Sequence, residues 1–446
     1  MRRLRRPTSG LWSNADFLRL WTGQSISELG SQVSQLAIPW IALVTLKSSA
    51  FEIATLGTVQ FLPFVLFTLP AGVWVDWISR RLVLIVGDVG RAVLLATIPL
   101  TYALGALTLW QLYVVGFLVG IHTVFFDVAY QSYLPSLIDR DALVEGNSKL
   151  QVTVSGAGVA GPGLAGLLIR VATAPYAILI DSISFLVSGG FTFAIRTREE
   201  QHADRQERHL LADLWEGLRY VLGHRYLRPQ AISTGSSNFF TNIAFAILIV
   251  YANRRLGLSA FGVGLAFSLG SFGWMLGAAL AGRMRRLFGV GGATIIGSAI
   301  SGPSLLLIPF APRGDVAIIF IAVAVMVLGF GAVVYNIQQV SLRQTITPAR
   351  MQGRMNATMR FLVWGTMPLG SLTGGALATV FGLRTAIFVG GIGAFFSVVP
   401  IVLSPIRSLR DFPEPEPVSA LSVEPLATVA GDARAPGNGG VAAGAE

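Results

Sequence analysis

The chain has 446 residues, 53% of them hydrophobic, with a mean hydropathy of +0.65 and a formal net charge of +10. That balance excludes an ordinary soluble domain, and the absence of cysteine excludes disulfides and thiolate-bound metal. The four histidines, at 122, 202, 209 and 224, lack metal-ligand spacing and no GxxxxGK(S/T) loop occurs, so no cofactor, metal or nucleotide motor is expected.

The chain opens on a basic segment, 1–16, that reads MRRLRR and lacks the apolar core and cleavage site of a signal peptide. Twelve apolar stretches of bilayer length follow. They run over 17–45, 50–75, 82–103, 109–135, 145–171 and 175–196, then 229–253, 260–282, 291–311, 315–342, 354–381 and 384–404. An all-α, multi-pass membrane protein is predicted. Most arginines fall in loops on the side of the two termini; Lys47, Arg170, Arg254, Arg255, Arg313 and Arg384 fall on the other. The positive-inside rule then puts both termini in the cytoplasm of an inner membrane. It also accounts for the net charge without nucleic acid. The preference for arginine over lysine, with abundant alanine and glycine, points to a GC-rich bacterial genome.

The first span carries Gln24, Ser27, Glu28, Ser31, Gln32 and Gln35 at three- and four-residue steps. This polar stripe must face protein or water, because lipid cannot satisfy it. Glu28 lies about 16 Å along the span, near the midplane, where a carboxylate can load and release a proton. A carboxylate permanently hydrogen-bonded to Gln24 or Gln32 is the structural alternative. Between the second and third spans, PAGVWVDWISRR places Asp76, Arg80 and Arg81 shortly after Gly72, and Asp88 and Arg91 follow on the third span. The fourth span holds His122, a second candidate proton acceptor or a structural histidine, and Asp127 near its cytoplasmic end. In the fifth, GAGVAGPGLAG contains a GxGxxG but no strand–turn–helix context, so it reads as close helix packing with a bend at Pro162. Asp181 of the sixth span is placed near the outer face, within reach of Arg170 or Arg384, in a structural role.

Residues 197–228 form a polar cytoplasmic linker whose stretch 209–224 is amphipathic and suited to a membrane surface. The seventh span then carries Asn238 and Asn242, and the tenth Tyr335, Asn336 and Gln339. Residues 406–446 are rich in Pro, Glu, Ala and Gly and are expected to be a disordered cytoplasmic tail. The chain also repeats itself. Ser49-Ala50-Phe51 recurs as Ser259-Ala260-Phe261 and Gly72 as Gly282, an offset of 210; at 209, Asp127 matches Asn336 and Gly161 and Gly166 match Gly370 and Gly375. Two pseudo-symmetric six-helix bundles, 17–196 and 229–405, follow from that duplication.

Over 14–405 these features resemble the major facilitator superfamily. Its loop signature, G-x3-D-x2-G-(R/K)-(R/K), is met by Gly72, Asp76, Arg80 and Arg81, with Ser79 in place of the second glycine. The exporter element GP-x2-GG appears as Gly161, Pro162, Ala165 and Gly166, with alanine for one glycine. The tracts GSQVSQLAIPW and FFDVAYQSYLPSLI are most similar to the macrolide-efflux and enterobactin-exporter branch of proton-coupled drug exporters. The resemblance implies the major facilitator fold and a gating relay of Asp76, Arg80 and Asp127, which Asp88 and Arg91 can join. A purely structural ion cluster is the alternative.

The expected function is export of a small amphipathic molecule (drug, macrolide, siderophore or other natural product) by alternating access with proton antiport. The protein would be a monomer whose partners are that substrate, protons and the bilayer. Gln24, Gln32, Gln35, Asn238, Asn242, Tyr335, Asn336 and Gln339 would line a shared central cavity. A lipid or lysolipid flippase of the same fold is the alternative, which a lateral opening between spans would favour. No catalytic triad or metal spacing supports an enzyme.

Overall fold

The computed structural model describes residues 10–197 and 210–413, without the side chains at 69, 73, 76, 140, 210–214 and 349. Most of the basic N-terminal segment, part of the linker and most of the tail lie outside the described residues. The N-terminal half comprises α1 (Ala15–Trp40), α2 (Ala50–Trp77), α3 (Arg80–Ala103), α4 (Leu109–Leu137), α5 (Leu143–Ala172) and α6 (Ala174–Phe193). After α7 (Leu210–Gly223) come α8 (Leu227–Arg254), α9 (Ala260–Ser304), α10 (Val316–Ile346) and α11 (Ala349–Trp364). The chain finishes with α12 (Thr366–Phe381), α13 (Leu383–Phe396) and α14 (Val399–Val402). Among the described residues there is no strand, and nine helices are long and apolar enough to cross a membrane.

Polar caps set where helices start. Asn14 accepts from the N–H groups of Asp16 and Phe17, both at 3.0 Å. Ser49 and Glu52 form a capping box on α2, and Ser259 caps α9. The repeated Ser-Ala-Phe is thus one helix start used twice. The eighth and ninth predicted spans appear as a single helical run, α9, interrupted at Gly289, where φ is 72°. Before the break α9 runs parallel to α10, Gly270 packing on Val325 and Gly277 on Phe330. Beyond it the order inverts, with Gly297 on Tyr335 and Ser301 on Gly331, so the chain reverses at Gly289. The eleventh predicted span divides at Gly365 into α11 and α12.

Among the described residues, the apolar cores of the two halves merge at one end. A continuous apolar core links α1, α2, α5 and α6 to α8, α9 and α10 at the end holding the α1–α2 and α8–α9 turns, here the loop end. Glycines bring backbones together there. A Cβ at Gly166 would lie 2.8 Å from Phe261 Cα, which seats α5 on α9; one at Gly375 would lie 3.0 Å from Phe51 Cα, which seats α12 on α2. Three hydrogen bonds cross the same seams: Gly163 N–H to Ser268 Oγ at 2.8 Å, Thr58 Oγ1 to Pro368 O at 3.3 Å and Arg254 Nη2 to Ser48 O at 2.6 Å. At the opposite, terminal end the cores are separate. One surrounds Phe17, Leu84, Phe126 and Tyr133; the other surrounds Leu227, Leu342, Met355 and Ile406.

Candidate functional site

Separation of the two cores leaves a cavity of about 1000 Å³ toward the terminal end. Its wall comes from Phe64 and Gly72 of α2, Asn238 of α8, Asn336, Gln339 and Arg343 of α10, and Arg350, Arg354, Arg360 and Trp364 of α11. Among the described residues, four arginines and no carboxylate line it. Asn238 Nδ2 donates to Val363 O at 3.1 Å and Gln339 Nε2 donates to Asn336 Oδ1 at 2.9 Å, so the amides are held in place. Arg354 pairs with Glu216 of α7 at 2.6 Å, which ties the linker helix to this wall. Arg360 lies over the Trp364 ring, 5.0 Å from its centre.

The sequence-predicted cavity residues divide. Asn238, Asn336 and Gln339 line the large cavity, and Gln24 lines a smaller cleft of about 420 Å³ with Tyr130, Asn147 and Gln151. Gln24 Oε1 is buried without a hydrogen bond. Gln32 instead packs against Gly161 of α5, and Gln35 is exposed. Asn242 donates to Asn238 O at 2.9 Å, and the buried Tyr335 hydroxyl lies 2.7 Å from Thr234 Oγ1. These last four border neither cavity.

A second cluster sits inside the N-terminal half. Asp88 and Arg91, one turn apart on α3, form an ion pair at 2.6 Å with both side chains buried. The Arg91 guanidinium is sandwiched between the rings of Phe126 and Phe185, at 4.2 and 4.1 Å, and Nε donates to Gly87 O at 3.2 Å. Asp127, Asp181 and Glu28 all lie within its electrostatic range. Glu28 is half-buried beside Gln32. Asp127 is exposed and within electrostatic range of Arg360, so it faces the C-terminal half. Asp181 departs from expectation. Its carboxylate accepts from Ser34 and Ser184, while Arg170 and Arg384 rest on Phe261 and on Phe310 and Phe388. The phase of α6 turns Asp181 toward α1, where Gly30 leaves room: a Cβ there would come within 2.6 Å of Asp181 Oδ1. His122 packs its ring on Gly90 of α3, with Nδ1 2.9 Å from Leu118 O.

In the loop motif, Asp76 lies one residue before the end of α2, and its side chain is outside the described residues. Arg80 begins α3. Arg81 donates to Thr192 O at 3.3 Å and to Phe193 O, which fastens the end of α6. Ser79, with φ −55°, accepts from Leu82 N–H at 3.4 Å and so caps α3 where the superfamily pattern has glycine. Gly161, Pro162, Ala165 and Gly166 all lie within α5, with Gly161 on Gln32 and Gly166 in the seam with α9. The arginines of the cavity wall were legible only as loop charge. Their signal was spacing, since Asn336, Gln339, Val340 and Arg343 share one face of α10.

The transmembrane secretion effector family matches residues 9–429. The chain belongs to that family. It is a multi-pass transporter of the major facilitator superfamily, in the drug-exporter branch, and not an enzyme. The multidrug efflux pump Tap of Mycolicibacterium fortuitum is 27% identical over 395 residues, covering 85% of this chain and 93% of that one. Macrolide efflux protein A of Streptococcus pyogenes is 23% identical over 407 residues, covering 88% and 96%. Among solved structures, a bacterial homologue of the iron transporter ferroportin in its inward-facing state matches with a TM-score of 0.71 at 16% identity, over 87% of this chain and 98% of that one. Its outward-facing state, with the same coverage, gives 0.55 at 17% identity. At such identities the likeness shows the fold alone.

Proposed function

We propose that this transporter exports small amphipathic molecules across a bacterial inner membrane, by alternating access driven by proton entry. Twelve spans in two bundles, 17–196 and 229–405, suit the helices if α9 supplies two spans and α11–α12 and α13–α14 one each. The arginine-rich loops support cytoplasmic termini. One-sided closure is the observation that carries the reading: glycine seams seal the loop end, and the cavity lies at the terminal end. With the termini inside, this is an inward-facing state, and the closer match to the inward-facing ferroportin homologue agrees. The drug and macrolide efflux relatives support the direction and the cargo class.

Proton coupling is supported by a charge imbalance. Four carboxylates, Glu28, Asp88, Asp127 and Asp181, gather around one guanidinium. Uncompensated charge inside a membrane protein is costly, so protons must neutralise part of the set. Asp88 and Asp181 are enclosed, which leaves Glu28 and Asp127 as the members open to exchange, with His122 of α4 as a further candidate. The loop residues Asp76, Arg80 and Arg81 would gate the cytoplasmic side as the halves close.

The test is a panel of drug-like compounds presented to proteoliposomes with an imposed pH gradient. At least one should accumulate against its gradient and lose that accumulation on addition of a protonophore. Transport indifferent to the pH gradient would overturn the coupling.

A further inference from the structure

The chemistry of the large cavity is lopsided in a way that a generic drug pocket does not require. Among the described residues, every charged group in its lining is cationic. Arg354 is matched by Glu216. Arg343 and Arg360 form no ion pair among the described residues, although they lie within electrostatic range of each other. Arg343 is half-buried, and its Nε is enclosed without a hydrogen-bond partner. A buried guanidinium N–H without an acceptor is unfavourable, and a second cation nearby makes it more so. Asp127, which does not line the cavity, feels Arg360 but forms no ion pair with it among the described residues.

One occupant would satisfy both cations: a negatively charged acceptor lodged between them, for which planar guanidinium groups are well shaped. What lies next to them says more about it. Arg360 covers Trp364, and Trp364 meets Phe61 and Phe64 of α2 at ring distances of 6.1 and 6.4 Å. The cationic wall therefore runs directly into an aromatic corner contributed by both halves, in which the two Phe rings meet Trp364 at 61° and 65°.

We propose that the cavity is a binding site for amphipathic organic anions. A carboxylate or phosphate-type group sits between Arg343 and Arg360, and an aromatic or apolar body lies against Trp364 and Phe64. The fate of the ligand rests on the export reading above, but its recognition is a binding property and is tested as one. Full-length protein in a neutral detergent is titrated calorimetrically with three compounds that share one ring system: 1-naphthoate, uncharged 1-naphthamide and cationic 1-naphthylmethylammonium. Wild type should bind naphthoate about tenfold or more tighter than the amide, with the cation weakest, in line with the strength of charge-assisted hydrogen bonds.

Arg343→Gln combined with Arg360→Gln should collapse that preference to about twofold, while Arg343→Lys, which keeps the charge but not the planar fork, should leave it intermediate between the two. Equal or tighter binding of the amide or the cation by wild type overturns the site, as does no binding of naphthoate, or a preference undiminished in the double Gln variant. The wild-type series decides alone if that variant fails to fold. Competition by lysophosphatidylglycerol, absent with lysophosphatidylcholine, would identify the anion as a lipid headgroup; no competition would identify a soluble anion. Both support the anion site. Transport of the same three compounds in proteoliposomes separates the two readings. Anion-selective binding without transport of any of them removes export and keeps the site, whereas preferred transport of the cation removes the site and keeps export.

Discussion

The N-terminal and C-terminal halves are built on one repeated frame, but the charged side chains gathered in their interiors are mainly acidic in the first and basic in the second. Asp88 and Arg91 of α3 have serines, Ser298 and Ser301, at the 210-residue offset, and Asp127 of α4 has Asn336 at 209. Buried carboxylates therefore collect around Arg91 in the first half, whereas the cavity wall of the second presents arginines and amides. The frame itself is conserved between the halves down to the turns. Lys47 and Gly257 have φ of 54° and 77°, Gly105 and Gly314 have 68° and 84°, and Thr173 and Gly382 have 68° and 87°. The turn after the second helix of each half differs, capped by Ser79 at φ −55° in one and left-handed at Gly289 in the other. Duplication supplies the scaffold and both seams; charge was distributed over it afterwards, with proton exchange assigned by our reading to one half and ligand binding to the other.

The contrast breaks most severely at the buried ion pair. Asp88→Ala removes the carboxylate paired directly with the Arg91 guanidinium and should destabilise the protein by about 3 kcal/mol, the low end for a broken buried pair because three other carboxylates stay within range. Ser298→Ala, at the matching place, should change stability by about 0.5 kcal/mol or less. Yield from membranes and thermal unfolding in detergent measure both, and equal effects would remove the asymmetry. The seams come next. Gly166→Leu forces α5 away from α9, because even a Cβ would fall 2.6 Å from Ala260 O. A cysteine placed at the buried Ser48 should then react with an impermeant maleimide from outside about tenfold faster than in the parent, a shift of about 1.4 kcal/mol. Unchanged protection would mean that the glycine seam is not the seal.

Smaller effects sharpen the comparison of turns. In the C-terminal half, Val290 and Gly291 donate to Arg410 O and Leu409 O at 3.1 and 2.8 Å, so Gly289 lies beneath the segment after the last helix. A Cβ there would be 3.0 Å from Arg410 Cα, and Gly289→Ala should lower stability by about 1–2 kcal/mol. Ser79→Gly at the equivalent turn should cost only about a few tenths of a kcal/mol, since glycine is itself a tolerable cap. Thr173 is branched and sits at φ 68° and ψ 158°, a region nearly reserved for glycine. Thr173→Gly, copying Gly382, should therefore raise stability by about 1 kcal/mol. Calorimetric unfolding of the three variants orders them.

Much of this was legible because it is periodic or repeated. The Ser-Ala-Phe starts, the paired glycines and the polar faces of Asn238, Asn336 and Gln339 follow from spacing alone. What spacing cannot give is which neighbour a helix face meets. Gln32 shares a stripe with Gln24, yet Gly161 of α5 covers it, and Asp181 turns to α1 instead of toward an outer arginine. The arginines of α11 were obscured by their other role, since a charge that obeys the positive-inside rule gives no hint that it also lines a cavity. Ser79 reads as a lost glycine until its hydroxyl is seen accepting from Leu82.

Of the two carboxylates left open to proton exchange, Glu28 lies nearer the midplane, and Glu28→Gln tests proton-driven export most directly because glutamine keeps the size and hydrogen-bonding capacity but not the charge. In proteoliposomes the variant should still exchange substrate across the membrane, while accumulation driven by an imposed pH gradient falls by about tenfold or more, a loss of about 1.4 kcal/mol of coupling. Gradient-driven accumulation undiminished in Glu28→Gln would contradict the account and move the proton to Asp127 or His122.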